Sequence, residues 1–123
     1  MHNFRKLDIW IDSVELADMI YYHTDFFPRS EVYGLASQMQ RAAVSVSSNI
    51  AEGSGRDSDR DFARFLAISL SSLYELETQI EIAHRRAYIN EENYYSLISH
   101  IESLQKRIYN FRKHISEEDN VAG

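Results

Sequence analysis

The sequence predicts an all-α protein, a single antiparallel up-down-up-down four-helix bundle. Three observations carry this. Apolar residues recur at helical spacing in four long segments. The 123 residues include one Pro and only four Gly, too few for a turn-rich sheet protein. The connections between the segments are short, which makes consecutive helices antiparallel neighbours. At this length one domain, expected over residues 1–115, can bury a real core.

The first helix is expected over residues 7–25. Leu7, Trp10, Ile11, Val14, Ala17 and Tyr21 form one apolar stripe, and Ile9, Leu16 and Ile20 an adjoining one. Asp8, Asp12, Glu15 and Asp18 fill the remaining arc. An apolar face this wide fits either a helix deep in its own bundle or one that also meets another subunit. Phe27-Pro28 then breaks the pattern, because the residue before Pro is pushed out of the α region and Pro suits a helix's first turn.

The second helix is expected over 29–53, with Glu31 near its positive end. Leu35, Met39, Ala42, Val46 and Ile50 form its core stripe. Gln38, Arg41, Ser45, Ser48 and Glu52 form a polar stripe beside it. Its C-terminal half, QMQRAAVSVSSNIAEGSGR, carries almost no large side chains, so a neighbouring backbone can approach closely. Gly53-Ser54-Gly55 reads as a helix stop.

Ser58 with Asp61 resembles a capping box and opens the third helix, expected over 59–87. Phe62, Leu66, Ser69, Leu73, Leu76, Ile80, Ala83 and Ala87 keep one face for about seven turns. Asn90, Glu91 and Glu92 open the fourth, expected over 91–115, with Tyr94, Leu97, Ile98, Ile101, Leu104, Ile108, Phe111 and Ile115 as its stripe. Residues 116–123 carry charge without periodicity and read as a disordered acidic tail.

Composition narrows the function. The absence of Cys leaves no disulfide framework, zinc–thiolate site or thiol nucleophile, and agrees with a cytoplasmic protein. No apolar run is long enough to span a bilayer, so no membrane role is expected. A net charge of −6 gives no global attraction for nucleic acid, so any contact with RNA or DNA must use a local basic patch.

FRKLDIW, FFPRSEVYGL, SQMQRAAVSVSSNIAEGSGR and DFARFLAISLSSLYELETQIEIA together resemble a four-helix-bundle family over roughly residues 4–115. That family includes proteins encoded in intervening sequences of bacterial large-subunit ribosomal RNA genes. Its relatives include the accessory variability proteins of diversity-generating retroelements. The resemblance implies a left-handed bundle assembled as a ring-like homopentamer and implies no established activity. The retroelement relatives bind nucleic acid and a reverse transcriptase through a basic surface. This chain departs from them: its first helix has five acidic residues and no Lys or Arg.

Candidate site residues fall into three groups. Arg41, Asn49 and Glu52 match the family motif. Arg41 and Glu52 lie about three turns apart and need partners elsewhere, with Glu75, Glu77 and Glu81 as candidates. They read as a registry network or, alternatively, as a ligand site at a subunit junction. Arg56, Arg60 and Arg64 form an i, i+4 row, and Lys106, Arg107, Arg112, Lys113 and His114 a second basic cluster. These suit either nucleic acid or simple complementation of the helix dipole. Glu81 and His84 have the Glu-x-x-His spacing of di-iron bundles, and with Glu77 would make a metal site, but a second such motif is missing. The favoured reading of His84 is a hydrogen bond to a neighbouring carboxylate. No cofactor is expected. Tyr21, Tyr22, Tyr33, Tyr74, Tyr94 and Tyr95 are candidate contact residues, because Tyr joins apolar area to a polar tip.

The resulting expectation is a non-enzymatic homopentameric assembly or adaptor module. An RNA- or DNA-binding accessory is the alternative, and a carboxylate/histidine metal bundle a remote one.

Overall fold

The computed structural model describes residues 1–122, with side chains to residue 116. Four helices carry the fold: α1 Asp8–Thr24, α2 Leu35–Ser54, α3 Asp59–Arg85 and α4 Glu91–Ala122. Short 3₁₀ turns at Phe4–Lys6 and Arg29–Glu31 precede α1 and α2. Each helix packs on its neighbours in sequence, and α1 closes the square against α4. The α2–α3 seam is the most extensive and the α1–α4 seam the thinnest. Among the described residues, no helix is long and apolar enough to cross a membrane.

The core follows the predicted stripes on three helices. Met39, Val46 and Ile50 of α2, Leu66, Leu73, Leu76 and Ile80 of α3, and Leu97, Ile101, Leu104 and Ile108 of α4 are fully buried. Their removal from water is the main drive to fold.

Helix α1 is turned from the expected stripe. Its buried face is Ile9, Ser13, Leu16, Ile20 and Thr24, while Ile11, Val14 and Tyr21 point outward. Two polar residues hide in the core face because each satisfies itself locally. The Ser13 hydroxyl donates to the Ile9 carbonyl, and the Thr24 hydroxyl to that of Ile20 at 2.8 Å. Thr24 then accepts from Gln40 on α2 at 2.9 Å.

Boundaries also differ from expectation. Pro28 starts only a 3₁₀ turn, and α2 proper begins at Leu35, after Gly34 leaves the helical region. The Glu31 carboxylate accepts from the Leu35 N–H at 3.4 Å, which places its charge at the α2 N-terminus as expected. Ser58 accepts from the Asp61 N–H at 3.1 Å, and Asn90 from that of Asn93 at 2.7 Å, so both predicted caps form. Helix α3 stops at Arg85 rather than near 87. Ala87 is exposed, not on the core stripe, and sits in the left-handed region at φ 63°. The Tyr88 N–H reaches Ala83 O at 2.9 Å and the Ala87 N–H reaches His84 O at 3.0 Å, a Schellman ending built without glycine. Helix α4 outruns the expected end at 115, since no Pro or Gly stands between Ile115 and Gly123 to stop it. The side chains of the expected acidic tail lie outside the described residues from 117 onward.

The expected stop at Gly53-Ser54-Gly55 forms, with α2 ending at Ser54 and Gly55 as its C-cap, although no glycine among the described residues has a positive φ. Gly53 has a second role that the sequence did not show. It lies beneath α3: a Cβ built there would meet Phe65 Cβ at 2.6 Å and Phe62 Cδ1 at 2.8 Å. Phe65 Cβ is fixed to the backbone and cannot swing away. Gly53→Ala is therefore expected to lower unfolding stability by about 1–3 kcal/mol through overpacking, although Ala is the better helix former. Denaturant melts check this, and a more stable variant would contradict the contact. Ala87→Gly should raise stability by about 1 kcal/mol by relieving the left-handed residue.

Candidate functional site

The family-motif residues lie along the α2–α3 seam and its outer edge. Inside the seam, the Ser69 hydroxyl donates to Val46 O at 2.8 Å. The Ser45 and Ser72 hydroxyls meet at 2.8 Å, and the Asn49 amide donates to Ser45 O at 2.8 Å and to its hydroxyl at 3.0 Å. Small polar side chains here bring two helices together and satisfy one another as they do so.

The charged members of the predicted network are not brought together within the chain. Glu52 accepts from Arg56, one turn on, at 3.2 Å. Glu75 accepts from Gln79 at 3.3 Å, and Glu77 from Gln105 of α4 at 2.9 Å. Arg41 is exposed and has no hydrogen-bond or ion-pair partner among the described residues.

The basic residues divide. Arg56 lies over the Phe65 ring at 4.5 Å, Arg64 meets Asp61 at 3.5 Å, and Arg112 Nε donates to Ala63 O at 2.9 Å. These three side chains, from three separate segments, line one hollow of about 560 Å³ with Asp61, Phe65 and Ile68. Arg60, Lys106 and Lys113 are exposed. Arg107 turns to the α1–α4 seam and donates to Asp12 at 2.6 Å. It is thus a clamp on the thinnest seam and does not line the hollow. His100 approaches Asp12 O at 3.2 Å beside it.

Sequence reasoning missed the clamp, because Asp12 and Arg107 lie 95 positions apart with no local pattern to join them. It also missed His2. Its ring meets Asp59 at 2.9 Å and lies tilted against Phe62 at 5.0 Å, and its backbone N–H donates to Ser54 O at 2.9 Å. An isolated histidine near a chain end carries no periodic signal.

The Glu81–His84 pair is resolved by an aromatic ring. Glu81 accepts from the Tyr94 hydroxyl at 2.6 Å and from Arg85 at 2.9 Å. His84 stacks on the Tyr94 ring at 4.2 Å rather than bonding a carboxylate. No group of three His, Cys, Asp or Glu side chains among the described residues is placed to hold a metal ion. The Tyr94 hydroxyl, and secondarily Arg85, hold the Glu81 carboxyl below its ordinary value, and Glu81 in turn raises Tyr94. A lowered carboxylate contributes its stability above the unfolded pKa and loses it as pH falls through the folded value. Tyr94→Phe should move the Glu81 titration upward toward the usual glutamate range, as read by side-chain NMR. An unchanged titration would contradict the bond.

The 23S rRNA-intervening sequence protein family matches residues 5–110. A crystal structure of a protein of unknown function from the S23 ribosomal protein family of Bacteroides thetaiotaomicron superposes with a TM-score of 0.79 at 26% identity. The match covers 85% of this chain and 98% of that one. No curated protein matches the chain. On the four-helix architecture and a family match spanning nearly the whole bundle, the chain belongs to the 23S rRNA-intervening sequence protein family.

Proposed function

We propose that the protein is a non-enzymatic cytoplasmic assembly module that works as a homo-oligomer, a homopentamer on its family resemblance. One observation carries the reading: the outward side of α1 exposes apolar residues among its acids, with Ile11 45% exposed, Val14 41% and Tyr21 46%. Scattered exposed apolar residues are ordinary, but these three recur at helical spacing on one stripe. Such a stripe, left bare, marks a surface for another protein. Light scattering on the purified protein at micromolar concentration should give a mass several times the 14.4 kDa chain. A monomer mass would overturn the reading.

A second reading, an RNA- or DNA-binding accessory, draws on the hollow lined by Arg56, Arg64 and Arg112. Guanidinium groups beside an aromatic ring suit phosphate and base together. Arg107 and Arg112 are poor probes of it, because both hold internal oxygens. Arg60 and Arg64 are the better ones. In gel shifts, affinity should fall steeply with salt, and replacing both with Ala should lower the slope of log K against log salt by about two. No retarded band at low salt would remove this reading.

A further inference from the structure

We infer that the outer stripe of α1 in one copy seats antiparallel on the outer face of α2 in the next, with Asp18 against Arg41. The inference rests on the homo-oligomeric reading and adds which two surfaces meet.

The outward stripe of α1 is Ile11, Val14, Asp18 and Tyr21. The outward stripe of α2 is Gln38, Arg41, Val44 and Ser48. Both recur at three- and four-residue intervals, the spacing with which one helix packs its ridges into another. Laid antiparallel, the two come level throughout to within one residue, about 1.5 Å of rise. Tyr21 meets Gln38, Asp18 meets Arg41, Val14 meets Val44, and Ile11 meets Ser48. The pairing puts an amphipathic ring on an amide, an acid on a base, and apolar on apolar. It also sets a branched residue over a small one that makes room for it.

Charge points the same way. The exposed acids of α1, Asp8, Glu15 and Asp18, have no Lys or Arg on their own helix. Arg41 has no partner within the chain among the described residues. A second copy supplies to each surface what it lacks.

Direction agrees too. Within the chain α1 and α2 run antiparallel, as the contacts of Thr24 with Gln40 and of His2 with Ser54 require. A ring whose axis lies along the bundle keeps every copy pointing the same way. Its α1 then meets the next copy's α2 running the opposite way. The two surfaces differ, so the contact is heterologous and propagates until the ring closes.

The test uses charge reversal in the full chain. Asp18→Arg and Arg41→Asp, made singly, should each weaken association at least about tenfold, and light scattering at a concentration where the unaltered protein is assembled should show a lower mass. The double variant restores the pair in reverse and should regain the original mass. Val14→Ser should weaken assembly without altering charge. Circular dichroism and thermal melts confirm that each variant is folded, as their exposed positions predict. Single variants that keep the assembled mass, or a double variant no better than either single, would overturn this pairing while leaving the assembly reading intact. An unaltered protein that is monomeric would defeat both.

Discussion

The close approach of α2 to α3 is the constraint on which the rest of the bundle depends. Gly53 lies where any side chain would strike Phe62 and Phe65. Ala42, Ala43, Val46 and Ser47 continue that narrow surface along α2. Ser69 crosses the seam to Val46 O, and Ser45 and Ser72 meet across it. With the backbones this near, short hydroxyls bridge directly. A larger residue at Ser69 or Ser72 would push the helices apart and break the hydroxyl contact to Val46 O or to Ser45. The seam therefore sets the register in which the large apolar side chains of α3 and α4 interlock.

The C-terminal half of α2 carries small residues on its outer side as well. Ser48 faces outward with Arg41 and Val44 beside it, so the helix that nestles against α3 also offers a shallow surface to something outside. Helix α1 has the converse character. Its core face spends two positions on Ser13 and Thr24, which close on their own helix, and part of its apolar content faces out. The Asp12–Arg107 pair holds α1 to α4 along the thinnest seam. The small residues of the recognisable motif thus pack α2 against α3.

How far the sequence could be read depends on the kind of signal. The stripes of α2, α3 and α4 were legible because Met39, Leu66, Leu73, Ile101 and Ile108 are large and periodic. Helix α1 misled because burial of Ser13 and Thr24 turns on local hydrogen bonds that hydropathy does not register. The stop at Gly53-Ser54-Gly55 was legible, but the packing role of Gly53 was not, because only the position of Phe65 shows that a Cβ there has no room. Ala87 adopts a backbone that sequence assigns to glycine or asparagine. At the candidate site, the basic positions were visible but their allegiances were not. Whether Arg107 and Arg112 face solvent or hold Asp12 and Ala63 is a matter of tertiary placement. The sequence marks Arg41 as needing a partner, and Arg41 makes no hydrogen bond or ion pair among the described residues.

The central claim is that α2 is packed on both sides, by α3 within the chain and by α1 of a second copy without. The chain lacks cysteine, so an introduced pair reports on that contact alone. The most direct measurement is oxidative cross-linking of a variant carrying Asp18→Cys and Arg41→Cys together. The account predicts a ladder of covalent multimers on a denaturing gel without reductant, because the two positions face each other across copies within disulfide reach. A single monomer band from a sample that light scattering shows to be assembled would contradict it.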